Sequence, residues 1–105
     1  EIILVDDNST DNTCKILNNI KSKKKFVRYF IRKKKRRDLT QSLFIGFNRS
    51  LYENIVVMDG DLQHPPRYIK KLLQVFFKNK ADVVIGSRNL FKKRGPGLNF
   101  FRYIS

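Results

Sequence analysis

The sequence predicts an α/β fold with a mostly parallel sheet and helices on both faces. Three observations predict it. Short apolar runs alternate with amphipathic stretches at the spacing of βα units. The runs are apolar nearly throughout, as strands covered on both faces are. Two of them end in paired acids, Asp6-Asp7 and Asp59-Gly60-Asp61, at the strand ends where such folds bind ligands.

Ile2 to Val5 is a run suited to a central strand. Ser9, Thr10 and Asp11 supply candidate N-caps. A helix follows to about Lys21, with Cys14, Ile16, Leu17 and Ile20 as its apolar stripe. Phe26 to Ile31 is the next strand. A second helix runs from Leu39 to Leu51 and carries Leu43, Phe44, Phe47 and Leu51. Asn54 to Met58 reads as the third strand. Pro65-Pro66 opens a helix, since proline is tolerated in the first turn, and Ile69, Leu72, Leu73, Phe76 and Phe77 form its buried face. Ala81 to Ile85 is the fourth strand, closed by Gly86-Ser87-Arg88. Arg94-Gly95-Pro96-Gly97 is a breaker cluster, and Leu98 to Ser105 begins another amphipathic segment, read as a helix.

At 105 residues the chain holds one domain at most. It opens inside an expected strand and closes inside an expected helix. Residues 1–105 therefore read as a partial domain, incomplete at both ends. The formal charge of +14 is large for this length, and eleven basic side chains fall between Lys21 and Arg37. That run reads as a solvated connection, or as a surface for nucleic acid, anionic lipid or a phosphorylated ligand. No RNA-recognition or helix-turn-helix signature accompanies it, which argues against nucleic acid as the partner. Cys14 stands alone, excluding an internal disulfide. No apolar run approaches the ~20 residues of a membrane span.

The richest stretch is Val56-Val57-Met58-Asp59-Gly60-Asp61-Leu62-Gln63-His64-Pro65-Pro66. Alternate side chains of an extended chain point the same way. Asp59 and Asp61 therefore converge on one cation if the chain stays extended past Met58. Mg²⁺ or Mn²⁺ carrying a phosphate takes such hard oxygen ligands.

Taken in order, Val5-Asp6-Asp7-Asn8-Ser9-Thr10-Asp11-Asn12-Thr13, Met58 to Pro66, and Gly86-Ser87-Arg88 closely resemble family 2 glycosyltransferases of GT-A fold. The best match is the dolichyl-phosphate (polyprenyl-phosphate) mannosyltransferase branch, and the resemblance covers essentially the whole chain. It implies a Rossmann-like catalytic domain and a metal-dependent, inverting transfer. A hexose, mannose from GDP-mannose, would pass from a nucleotide-sugar donor to a polyprenyl phosphate such as dolichyl or undecaprenyl phosphate. It also implies association with a membrane surface, on the cytoplasmic side.

Residue by residue, the resemblance gives Asp7 the nucleotide base, with Val5 adding backbone contacts. Asp59 and Asp61 become the metal and diphosphate pair, Gln63 completes the metal environment, and Gly60 is the small residue beside the ribose. Arg88, and by a weaker match Arg102, face the acceptor phosphate. The bare residues leave bland alternatives: Asp6 as a loop carboxylate, Asp11 as a helix-terminus acid, and His64 as a residue shaping the turn.

The chain departs from the family pattern in places. An opening strand with a Pro-x-Tyr-Asn-Glu segment would precede Glu1, and the usual Gly-Leu pair stands here as Asp38-Leu39. Within the enzyme class, the alternative is a glucosyl or other UDP-sugar transfer to polyprenyl phosphate. Outside it, a receiver domain also ends its strands in acids. Asp61 then adds an extra carboxylate, however, and Gly86-Ser87-Arg88 lacks the lysine such a domain uses.

Overall fold

The computed structural model describes residues 1–34, 36–61, 63–87 and 100–104, with residues 87 and 100–104 described by backbone alone. The chain divides into two compact units, Glu1–Ile55 and Val56–Ser105.

The first unit is a βαβα arrangement. Strand β1 (Ile2–Asp6) leads to helix α1 (Thr13–Lys23), strand β2 (Val27–Ile31) and helix α2 (Leu39–Arg49). The strands pair in parallel, in a register that sets Ile2 opposite Val27 and Asp6 opposite Ile31. A parallel pair needs a crossover, and α1 supplies it. Helix α1 packs on β2 and α2 on β1. Within α1, Leu17 is the buried residue, while Ile16 and Ile20 of the expected stripe are exposed. A methyl group placed on Gly46 would lie 3.8 Å from Val5 Cγ2, an ordinary contact, so α2 sits over Val5.

An irregular stretch spans the sequence boundary between the units. Asn54 to Met58, expected as a strand, makes no ladder among the described residues, and Val57 is 55% exposed. A strand needs a neighbour for its backbone N–H and C=O groups, and apolar composition alone does not provide one. A 3₁₀ turn (Pro66–Tyr68) then opens helix α3 (Ile69–Asn79). Phe77, expected on the buried face of α3, is 59% exposed, while Phe76 is half-buried and meets it edge to face. The helix ends at Lys80 in the left-handed region, where Lys80 N–H is shared between the Phe76 and Phe77 carbonyls.

Helix α3 packs on a strand pair, β3 (Val83–Ser87) and β4 (Phe100–Ile104). This pair is antiparallel, with Ile85 opposite Arg102, in addition to the parallel pair of the first unit that the mostly parallel reading expects. The closing segment was expected to be helical. Its aromatic and β-branched residues suit a pleated surface, and pairing with β3 decides the outcome. The breaker cluster Arg94-Gly95-Pro96-Gly97 lies outside the described residues. Among the described residues, no helix is long and apolar enough to cross a membrane.

Candidate functional site

The carboxyl end of β1 is built around its two acids. Asp6, 8% exposed, accepts hydrogen bonds from Ser9 N–H (2.9 Å) and Ser9 Oγ (2.5 Å). Its carboxylate therefore folds the loop back on itself, the local role short polar side chains play in turns. Asn8 takes a positive φ of 62° between them, a conformation asparagine adopts more readily than most residues. Asp11 accepts Thr13 N–H and Thr13 Oγ at the start of α1. The bond from the Thr13 hydroxyl, with that from its N–H, holds the Asp11 carboxyl below the usual carboxylate range.

Asp7 faces a different set of partners. Its Oδ1 accepts Arg32 Nε–H at 2.6 Å, and its Oδ2 accepts the backbone N–H of Asp38 at 2.5 Å. The Arg32 bond is the main reason its carboxyl sits below the usual range, aided by Asp38 N–H and the charges of Arg32 and Arg37, and opposed by desolvation. Arg32 also donates through Nη2 to the Arg36 carbonyl. One guanidinium thus ties the end of β1 to the loop entering α2. The Asp7 side chain remains 21% exposed. Two bonded donors leave further acceptor positions on an ionised carboxylate. Val5, one turn of the pleat earlier, lies half-buried in β1 beneath α2.

Asp38, which replaces the expected glycine, is the N-cap of α2. Its backbone is extended (φ −154°) and its side chain accepts Gln41 N–H at 3.1 Å. No glycine-only conformation is required there. The signal lay in Asp38-Leu39-Thr40-Gln41, the spacing of a capping box. Arg32 carried no comparable signal, being one of many basic side chains in its run.

In the second unit, the extended path past Met58 stops at Asp59, because Gly60 and Asp61 turn. Asp61 Oδ1 accepts Gln63 N–H at 2.9 Å, which fixes the turn. The Asp59 side chain is 59% exposed, with His64 Nδ1 3.7 Å from its Oδ2. A Cβ added to Gly60 would meet nothing within 4 Å. Asp59, Gly60, Asp61 and Gln63 thus share one exposed turn that leads into α3. Among the described residues, no cluster of three or more His, Cys, Asp or Glu side chains gathers to hold a metal. The donor chemistry still fits Mg²⁺ or Mn²⁺, since two exposed carboxylates supply hard oxygens and leave positions for water and phosphate. Arg88 lies outside the described residues. Arg102 lies on β4 opposite Ile85.

The basic run is not one surface. Strand β2 divides it: Lys21, Lys23, Lys24 and Lys25 precede the strand, and Arg32, Lys33, Lys34, Arg36 and Arg37 follow it. The second group shares the strand ends with Asp6 and Asp7. Arg28, within β2, is paired with Glu1 at 2.7 Å and lies over the Phe30 ring.

Residues 1–98 match glycosyl transferase family 2, and the chain belongs to that family. The family has the GT-A fold, and membership sets aside the receiver-domain reading. The chain is 41% identical over 102 residues to a dolichol-phosphate mannosyltransferase of Pyrococcus furiosus, covering 97% of this chain and 28% of that protein. It is 35% identical over 88 residues to a dolichol-phosphate mannosyltransferase of Mycosarcoma maydis, covering 84% of this chain and 29% of the relative. An undecaprenyl-phosphate 4-deoxy-4-formamido-L-arabinose transferase of Yersinia enterocolitica is 32% identical over 75 residues, 71% of this chain and 23% of the relative. The chain thus spans less than a third of the length of these relatives. No solved structure matches it.

Proposed function

We propose that the chain is part of the catalytic domain of a polyprenyl-phosphate glycosyltransferase, with GDP-mannose as donor. One observation carries this reading. The exposed turn Asp59-Gly60-Asp61, fixed by Gln63 and followed by Pro65-Pro66, sits in a chain similar along its length to dolichol-phosphate mannosyltransferases. The acceptor class has further support in the Yersinia relative, whose name pairs a different sugar with another polyprenyl phosphate.

Asp59, Asp61 and Gln63 would hold the divalent metal on which enzymes of this family generally depend. When bound, such an ion offsets charge on the departing nucleotide diphosphate. Asp7, kept ionised by Arg32, would accept N–H groups of the nucleotide base, and Val5 would flank it through its backbone. The acceptor phosphate is anionic near neutral pH and needs no strong protein base. Its oxygen forms a bond to the anomeric carbon as the bond from that carbon to the nucleoside diphosphate breaks, which inverts the centre. Arg88 and Arg102 would position the acceptor phosphate through charge and hydrogen bonding. Much of the rate would come from positioning and electrostatics. Polyprenyl phosphates reside in membranes, so the complete protein would work at a membrane surface, on its cytoplasmic side.

The test is transfer by the complete protein from a panel of GDP- and UDP-sugars to a short-chain polyprenyl phosphate. Mannosyl transfer from GDP-mannose is the expected result. Preference for a UDP-sugar would move the assignment to the alternative donor class. No transfer from any donor to a lipid phosphate would overturn the reading.

A further inference from the structure

We infer that Arg32 is a positioning residue for nucleotide-base recognition, acting through Asp7. The inference rests on the donor reading above and adds a residue to it. Arg32 follows β2 directly, and its backbone N–H donates to the Asp6 carbonyl at 2.8 Å, continuing the strand register by one step. Its guanidinium then works in two directions. Nε donates to Asp7 Oδ1 at 2.6 Å, and Nη2 donates to the Arg36 carbonyl. Asp38 N–H holds the second Asp7 oxygen at 2.5 Å. Each carboxylate oxygen therefore has one fixed donor, which sets the plane of the carboxylate.

The side chain of Arg32 is 11% exposed, about half as exposed as that of Asp7. Asp7 therefore presents more surface to a ligand, and Arg32 lies more deeply behind it. A carboxylate held this way offers its remaining acceptor positions to N–H donors on a planar ring edge. Geometry of that kind demands a fixed acceptor, and a free carboxylate loses rotamer freedom on binding. Lysine cannot replace Arg32 in this role. A single ammonium is a point charge, whereas the planar fork reaches Asp7 and the Arg36 carbonyl together.

The experiment is calorimetric titration of the complete protein and its Arg32→Lys variant with GDP, UDP and pyrophosphate. Pyrophosphate carries the phosphate charge without a base. The wild type should bind one nucleoside diphosphate more tightly than pyrophosphate. Arg32→Lys should weaken that nucleotide roughly tenfold, the scale of one charge-assisted hydrogen bond, and leave pyrophosphate within about twofold. Equal loss of both ligands overturns the inference, because Arg32 then acts on phosphate or on folding. Unchanged nucleotide affinity also overturns it. A wild type that binds pyrophosphate as tightly as either nucleotide overturns the base-recognition reading of Asp7 itself, and with it this role for Arg32. Arg32→Gln repeats the comparison if the lysine variant does not fold, with the same outcomes.

Discussion

Asp7 Oδ1 and Arg32 Nε stand 2.6 Å apart, joining the residue after β1 to the residue after β2. The pair closes the parallel strands at the end where α/β folds bind ligands. It also gives Asp7 a structural task beside its proposed functional one.

That task makes acid stability a test. The folded-state pKa of Asp7 is depressed, chiefly by the Arg32 hydrogen bond, and Glu1 and Asp11 shift in the same direction. A depressed carboxyl contributes stability that is fully present above its ordinary value of about 4 and lost as pH falls through the folded value. The complete protein should therefore lose stability below about pH 4. Asp7→Asn should be less stable near neutrality and fall less steeply in acid. Circular dichroism against pH at fixed urea checks this, and identical acid limbs for the two proteins would refute the coupling.

Asp38 supplies a second test through its cap on α2. Asp38→Ala should cost about 1 kcal/mol in urea denaturation, and Asp38→Asn much less, since asparagine also caps well. Both variants keep the backbone N–H that serves Asp7. A loss as large for asparagine as for alanine would point to the charge rather than the cap.

Much of this arrangement is legible in the amino-acid sequence. Hydrophobic spacing placed α1, β2, α2 and α3 within a few residues of their observed bounds, because each is set largely by local pattern. The Asp59 to Pro66 stretch was legible because its residues are contiguous. What escaped was non-local. Asn54 to Met58 reads as a strand by composition, yet a strand exists only with a partner. Leu98 to Ser105 reads as helical by its pattern, yet Phe100–Ile104 within it pairs with β3 as a strand. Arg32 was hidden because its partner lies 25 residues away in sequence. No local spacing marks such a pair.

Gly60 offers a test of tolerance. It carries no positive φ, and an added Cβ would meet no atom within 4 Å. Gly60→Ala should therefore keep donor transfer and change stability by no more than about 0.5 kcal/mol. Comparing transfer rates and urea midpoints of the two proteins is sufficient. A large loss of transfer with stability unchanged would mean that bound donor fills that space.

Asp61 separates turn-making from metal binding. Its Oδ1 accepts Gln63 N–H, a bond asparagine can also accept. Asp61→Asn should preserve the turn and abolish the Mn²⁺ dependence of GDP binding in the complete protein. Asp61→Ala should lose both. Calorimetry with and without Mn²⁺ distinguishes them. Full metal dependence in Asp61→Asn would remove Asp61 from the proposed ligand set.

The two basic groups flanking β2 should behave differently. A five-residue strand separates their backbones by roughly 15 Å, beyond the Debye length of about 8 Å at physiological salt. The group after β2 lies where Asp7 lies, and Arg37 is close enough to help depress the Asp7 pKa. Replacing Lys33, Lys34, Arg36 and Arg37 with glutamine should weaken GDP binding and flatten its dependence on salt. The same change at Lys23, Lys24 and Lys25 should leave GDP binding alone. Binding to vesicles containing anionic lipid supplies the contrast, since charge near such a surface contributes at most ~1 kcal/mol per residue. If the Lys33 to Arg37 variant loses vesicle binding and keeps GDP affinity, that group serves an anionic lipid surface, one of the readings its charge allows. If the Lys23 to Lys25 variant loses GDP affinity equally, the division of the run by β2 has no functional meaning.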